Sequence, residues 1–294
     1  MRMRYVAQGA VVGTVTAWIR KYPVGAFLLW FFTVGWTITF MPLVARRALH
    51  MELLFQPFAL ATNMLGLLLP LVVITHVVDG PEGVHLLRQR LLKVRASVGW
   101  YTVALVAVPV TALVLVRSIF GPPDAPPSTL FSALVGGLIL QTIIGCITNN
   151  LWEEAGWMGF VQARWQSRHG AFVAAIYTAP LFTLQHLAIV VNNGNGLILS
   201  LVFILALSAL AIPFRALLAW VYNRTDSLFL VGLLHAAGNA VAGGSGLGDG
   251  LLPRLYENNS IVLFHLVAEA IVGLIVIAGT RARLGVQAHA TGRA

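Results

Sequence analysis

Apolar runs of about twenty residues, separated by short polar or basic segments, recur along the whole chain. Eight can be placed, at roughly 23–43, 53–78, 98–116, 130–160, 171–191, 197–220, 227–243 and 260–280. A bilayer core of about 30 Å needs roughly 20 apolar residues of helix to cross it. Only helices or closed barrels satisfy their backbone in lipid, and barrel strands would alternate over about ten residues, which these runs do not. The pattern predicts an all-α protein, a polytopic helical bundle of about eight transmembrane helices. It is read as a single transmembrane domain over 1–294 whose motif-bearing core lies at about 130–243.

Composition supports this class. The hydrophobic fraction is 58%, the charged fraction 10% and the mean hydropathy +0.84. A soluble domain carries about 25% charged residues, so this chain lacks the polar surface to cover itself in water. The formal charge of +9 would suggest nucleic acid in a soluble protein. Here the basic residues alternate with apolar runs, and no basic stripe with interleaved aromatics appears, so no nucleic-acid partner is expected.

The basic residues orient the bundle instead. With the N-terminus inside, the inner segments hold Arg2, Arg4, Arg20, Lys21, Arg88, Arg90, Lys93, Arg95, Arg164, Arg168, Arg215, Arg224, Arg281, Arg283 and Arg293. The outer segments hold Arg46, Arg47, Arg117 and Arg254. Fifteen against four is the sense the positive-inside rule requires, and it places both termini in the cytoplasm. The stretch GVHLLRQRLLKVRAS between runs two and three interleaves leucines with basic residues, as an interfacial helix on anionic lipid does. The single cysteine, Cys146, reads as a small buried apolar residue. The glycine-rich stretch 243–250 reads as an outer loop.

Against this background two adjacent acids stand out, Glu153 and Glu154, at the end of the apolar run LVGGLILQTIIGCITNNLW. An ionised side chain at the bilayer centre costs at least about 2.5 kcal/mol, so an intramembrane acid is a functional-site candidate. Later runs each add a histidine, His186 in FTLQH and His235 in HAAGN. His235 and Asn239 are one turn apart and share a face, as do Phe182 and His186. The two acids are about 100° apart around their helix, so they point differently. Asn149 precedes Glu153 by one turn and Asn150 precedes Glu154 likewise, offering each a local partner. Counted inward at 1.5 Å per residue, Glu153, His186 and His235 lie roughly 16, 22 and 13 Å from the same side, close enough to build one site.

Such groups suit hydrolysis. A carboxylate can act as general base on a water and then as general acid toward a leaving amine. Imidazoles can orient that water, and Asn239 can donate to an oxyanion. Alternatively Glu153, His186 and His235 could ligate a divalent metal such as zinc, although no HExxH places ligands on one helix. His265 and Glu269, one turn apart in the last run, read as a packing pair. His289 falls in the tail.

EEAGWMGF, FTLQH and HAAGN, in this order on separate runs, resemble the three motifs of the CPBP family, EExxxR, FxxxH and HxxxN/D. That family comprises type II CAAX prenyl endopeptidases and bacteriocin-processing or self-immunity proteins. The resemblance implies an intramembrane protease in which Glu153 activates water, Glu154 supports it, His186 and His235 complete the site, and Asn239 contributes to the oxyanion pocket. It implies a peptide or membrane-associated protein substrate, cut near its C-terminus or beside the membrane, and leaves metal dependence open. One position departs: Met158 stands where EExxxR has arginine, and Arg164 is the nearest candidate to replace it. Two other readings remain, a catalytically inactive immunity or scaffold protein and a proton-coupled transporter using the buried Glu/His cluster. The arginine-, alanine- and glycine-rich composition points to a high-GC bacterium, and so to a bacterial plasma membrane.

Overall fold

The computed structural model describes residues 13–192, 196–243, 248–256, 261 and 263–286. Arg2, Arg4, Arg293 and His289, with residues 244–247 of the glycine-rich loop, lie outside them. All regular structure among the described residues is helical. Among the described residues six helices are long and apolar enough to cross a membrane: α1 (Pro23–Leu49), α2 (Phe55–Leu91), α3 (Val98–Phe120), α4 (Pro127–His169), α5 (Ala171–Val191) and α6 (Leu197–Thr225). Two shorter apolar helices complete the series, α7 (Leu228–Ala242) and α8 (Phe264–Gly279). Each of the eight apolar runs is therefore a helix, and the chain is a polytopic, multi-pass membrane protein.

The helix ends follow local chemistry. Gly170, at φ +82°, closes α4, and Gly243, at φ +97°, closes α7, both in the left-handed region that glycine enters without a β-carbon clash. The Ser227 hydroxyl caps α7 by accepting the Leu230 N–H at 3.1 Å. At 15 residues α7 is only about 22 Å long, short of a bilayer crossing. It tolerates this because protein surrounds it: twelve of its fifteen residues are buried, and it packs against α3, α4, α6 and α8. In contrast α4 has 43 residues, running on to His169 well past the expected boundary near 160. Its course is interrupted by π-helical turns at Ala133–Leu140, Cys146–Asn150 and Trp157–Gln162, and the acid pair sits in the α-helical stretch between the last two. Such turns recur at functional sites because they rotate the side chains that follow.

The chain divides into two compact units, Met1–Gln89 and Arg90–Ala294. In the first, α1 meets α2 where Gly35 faces Gly66, and the hydroxyls of Thr39 and Thr62 bond at 2.7 Å. Within α2 the backbone breaks at Gly80 (φ +71°), just before Pro81, which sets off the basic amphipathic stretch expected there.

In the second unit small residues decide how closely helices approach, as they do where lipid offers no hydrophobic drive between helices. Gly232 of α7 lies against the backbone of α4, and a β-carbon there would stand 2.8 Å from the Leu151 Cα. Gly273 of α8 lies so close to α6 that a β-carbon would overlap the Pro213 carbonyl. Thr183 of α5 and Ser208 of α6 share a hydroxyl–hydroxyl bond of 2.6 Å. These contacts bring α4, α5, α6 and α7 together about one turn from Glu154, His186 and His235.

Gly232→Ala is expected to wedge α7 from α4 and lower stability by about 1–3 kcal/mol, the usual cost of overpacking. Gly279→Ala, where nothing lies within 4 Å, is expected to leave stability unchanged or slightly raised. Thermal unfolding of the two variants in detergent measures the contrast.

Candidate active site

The acid pair diverges as its 100° separation requires. Glu153 turns toward α5 and Glu154 toward α6. One Glu153 carboxylate oxygen accepts a hydrogen bond from the Gln185 amide, and the other accepts from Asn150 Nδ2 at 3.2 Å. The Gln185 amide is itself held in that orientation, since its oxygen accepts the Trp157 indole N–H at 2.6 Å. Asn150 therefore serves Glu153, one turn along the same helix, and not Glu154 as the spacing suggested.

Glu154 is fully buried and takes its partners from two other helices. Nη1 of Arg215, from α6, donates to both carboxylate oxygens at 2.9 and 2.7 Å. His235 Nδ1, from α7, stands 2.9 Å from Oε1. An ionised carboxylate only accepts, so Nδ1 carries the proton and a neutral His235 leaves Nε2 as its acceptor nitrogen.

His186 and His235 both approach Glu153. His186 Nε2 lies 3.9 Å from Glu153 Oε1 and His235 Nδ1 3.8 Å from Oε2. Around residues 185–186 helix α5 tightens, with the His186 N–H bonding the Thr183 carbonyl at 3.0 Å, which allows adjacent Gln185 and His186 both to face α4. The Phe182 ring packs edge-on between the histidines, 5.4 Å from the His186 ring and 5.8 Å from that of His235. Exposure grades across the cluster: 32% for the His186 side chain, 10% for Glu153 and none for Glu154. Access is from the His186 side.

Glu153, Glu154, His186 and His235 thus converge from α4, α5 and α7. Asn239 follows His235 by one turn and is half-buried, but it makes none of the hydrogen bonds above. Glu269, read from the sequence as half of a packing pair, is buried with its carboxyl against Gly238, within electrostatic reach of His235 and Glu154.

The metal-ligand alternative would require these side chains to turn from their present partners. The Glu153 oxygens are engaged by amide donors, and the His235 nitrogen nearest Glu153 is committed to Glu154. Among the described residues no three His, Cys, Asp or Glu side chains are grouped to hold a metal ion.

The Arg164 guanidinium stacks over the Phe160 ring at 3.8 Å. Arg215, counted above among the inner basic residues, is fully buried ten residues before the end of α6. Removing it from that tally leaves fourteen against four. Arg215, Gln185, Gln162 and Trp157 are the site residues that sequence reasoning missed. Arg215 and Gln185 carried a readable signal, each being a strongly polar residue inside an apolar run, the criterion that singled out the glutamates. A separate cavity of about 530 Å³, lined by Trp100, Gln166, Asn223, Arg224, Gly285 and Val286, shares no residue with this cluster.

Residues 135–241, which hold all three motifs, match the family model described as type II CAAX prenyl endopeptidase Rce1-like, a family generally of proteases. No curated protein and no solved structure matches the chain. The resemblance drawn from EEAGWMGF, FTLQH and HAAGN therefore holds, and the segment that builds the acid–histidine cluster is Rce1-like.

Proposed function

We propose that the protein is an intramembrane endopeptidase of CAAX prenyl protease type, with Glu153 as general base, its site open toward the cytoplasm of a bacterial plasma membrane. The observation that carries this reading is the placement of Glu153: buried, fixed by two amide donors, and within 4 Å of two imidazoles. At 3.9 Å, Glu153 Oε1 and His186 Nε2 are too far apart for a direct hydrogen bond, and a single water would bond to both.

The steps follow from these groups. Glu153 takes a proton from the water as its oxygen bonds to the scissile carbonyl carbon. The oxyanion that forms is stabilised by the Asn239 amide, an N–H donor one turn beyond His235 on α7. As the intermediate collapses the C–N bond breaks, and the proton held by Glu153 passes to the leaving amine. The products are a carboxylate and an amine. The substrate is a peptide or membrane-associated protein segment that reaches the exposed His186 edge.

Glu153→Gln is expected to reduce cleavage about 10²–10⁴-fold, the range for losing a general acid–base. Protein termini in membranes of cells expressing wild type or this variant at equal levels measure it. Termini present only with wild type support the reading, and identical termini in both overturn it. Gln185→Leu removes a hydrogen bond to a charged group, worth about 1.5–3 kcal/mol, and is expected to slow cleavage roughly 10–100-fold. Single-turnover cleavage in detergent or vesicles checks that figure.

A further inference from the structure

The motif arginine is absent at Met158, yet the acid pair still has a guanidinium. Position 158 is one turn beyond Glu154 on α4, so a long side chain there could reach the Glu154 carboxylate from within the same helix. In this chain that position is a fully buried methionine. The guanidinium arrives from α6 instead, where Arg215 Nη1 contacts both Glu154 oxygens. Two of its three nitrogens are held by named partners, while Nη2 is buried without one. Arg215 Nε donates to Gln162 Oε1 at 2.9 Å, and Gln162 Nε2 returns a bond to the Arg215 carbonyl at 3.2 Å. The guanidinium carbon lies 5.1 Å from the Phe182 ring centre, and Gly273 lets α8 close over the adjacent Pro213.

We propose that Arg215 is a positioning residue that supplies from α6 the guanidinium that the motif places at 158. The inference rests on Glu153 as the base and adds the way its neighbourhood is oriented. Arg215 holds Glu154 as a fixed acceptor, Glu154 receives the Nδ1 proton of His235, and that bond sets which His235 nitrogen faces the reacting group. The arginine acts through Glu154 and His235 and does not touch substrate. Moving it to a second helix makes the orientation of His235 depend on the docking of α6 against α4.

The test is a position swap in full-length protein, read by thermal stability in detergent and by cleavage kinetics. Arg215→Met leaves Glu154 buried with His235 as its remaining partner and no guanidinium, and both readouts are expected to fall, with kcat down about 10²-fold or more. Arg215→Met with Met158→Arg is expected to recover the wild-type melting temperature and kcat to within about tenfold. Arg215→Met with Glu154→Gln removes both charges, and is expected to recover stability but not kcat, while KM stays near the wild-type value. A purely structural role predicts that Arg215→Met lowers the melting temperature while the folded fraction keeps the wild-type kcat, and that result overturns the proposal. So does failure of Met158→Arg to recover stability. If the swap recovers stability while no variant, wild type included, cleaves any membrane peptide, the exchange of positions stands and the protease reading fails.

Discussion

The fully buried pair of Glu154 and Arg215 is the constraint around which the second unit is arranged. Neither group can remain alone at that depth, since an unpaired buried charge costs several kcal/mol and lipid offers no water in compensation. The pair therefore forms only when α6 is docked on α4 in one register. Gln162 takes the Arg215 Nε–H, His235 bonds Glu154, and the Phe182 ring packs near the guanidinium, whose Nη2 stays buried without a hydrogen-bond partner. Replacing such a pair by apolar groups is often neutral for stability, whereas breaking it by removing one member costs about 3–5 kcal/mol. Its contribution is best understood as specification, because it fixes which helix faces meet.

That fixed register explains why two adjacent acids behave so differently. Glu154 is turned to the interior and consumed by structural partners from α6 and α7. Glu153, rotated by about 100°, faces α5 at a slightly accessible position and is steadied by amides rather than cations. An amide donor orients a carboxylate without neutralising it, which leaves Glu153 able to accept a proton, whereas a bidentate guanidinium would oppose that. The helix contacts serve the same end. Gly232 brings α7 onto the Leu151 backbone, one turn before His235, and the short α7 is permissible because protein rather than lipid surrounds it.

Much of this was legible along the chain. Apolar run length determined the helices, since a segment that must satisfy its own backbone in lipid has no alternative to helix. The rarity of ionisable residues in such runs marked Glu153, Glu154, His186 and His235, and helical spacing showed that the acids diverge while His235 and Asn239 share a face. Which side chain each of them would meet was not legible. Spacing offered Asn150 to Glu154, but helix rotation gave it to Glu153. Arg215 read as a topology signal because its charge says nothing of what lies opposite it. Gln185 and Gln162 carried no period at all. A hydrogen bond between side chains 53 or 61 positions apart depends on how helices rotate and approach, and these depend on small residues and buried charges acting together. Sequence alone determined which residues are costly to bury in a membrane. Only the tertiary structure decided which of them meet, because that choice is made between helices and not along them.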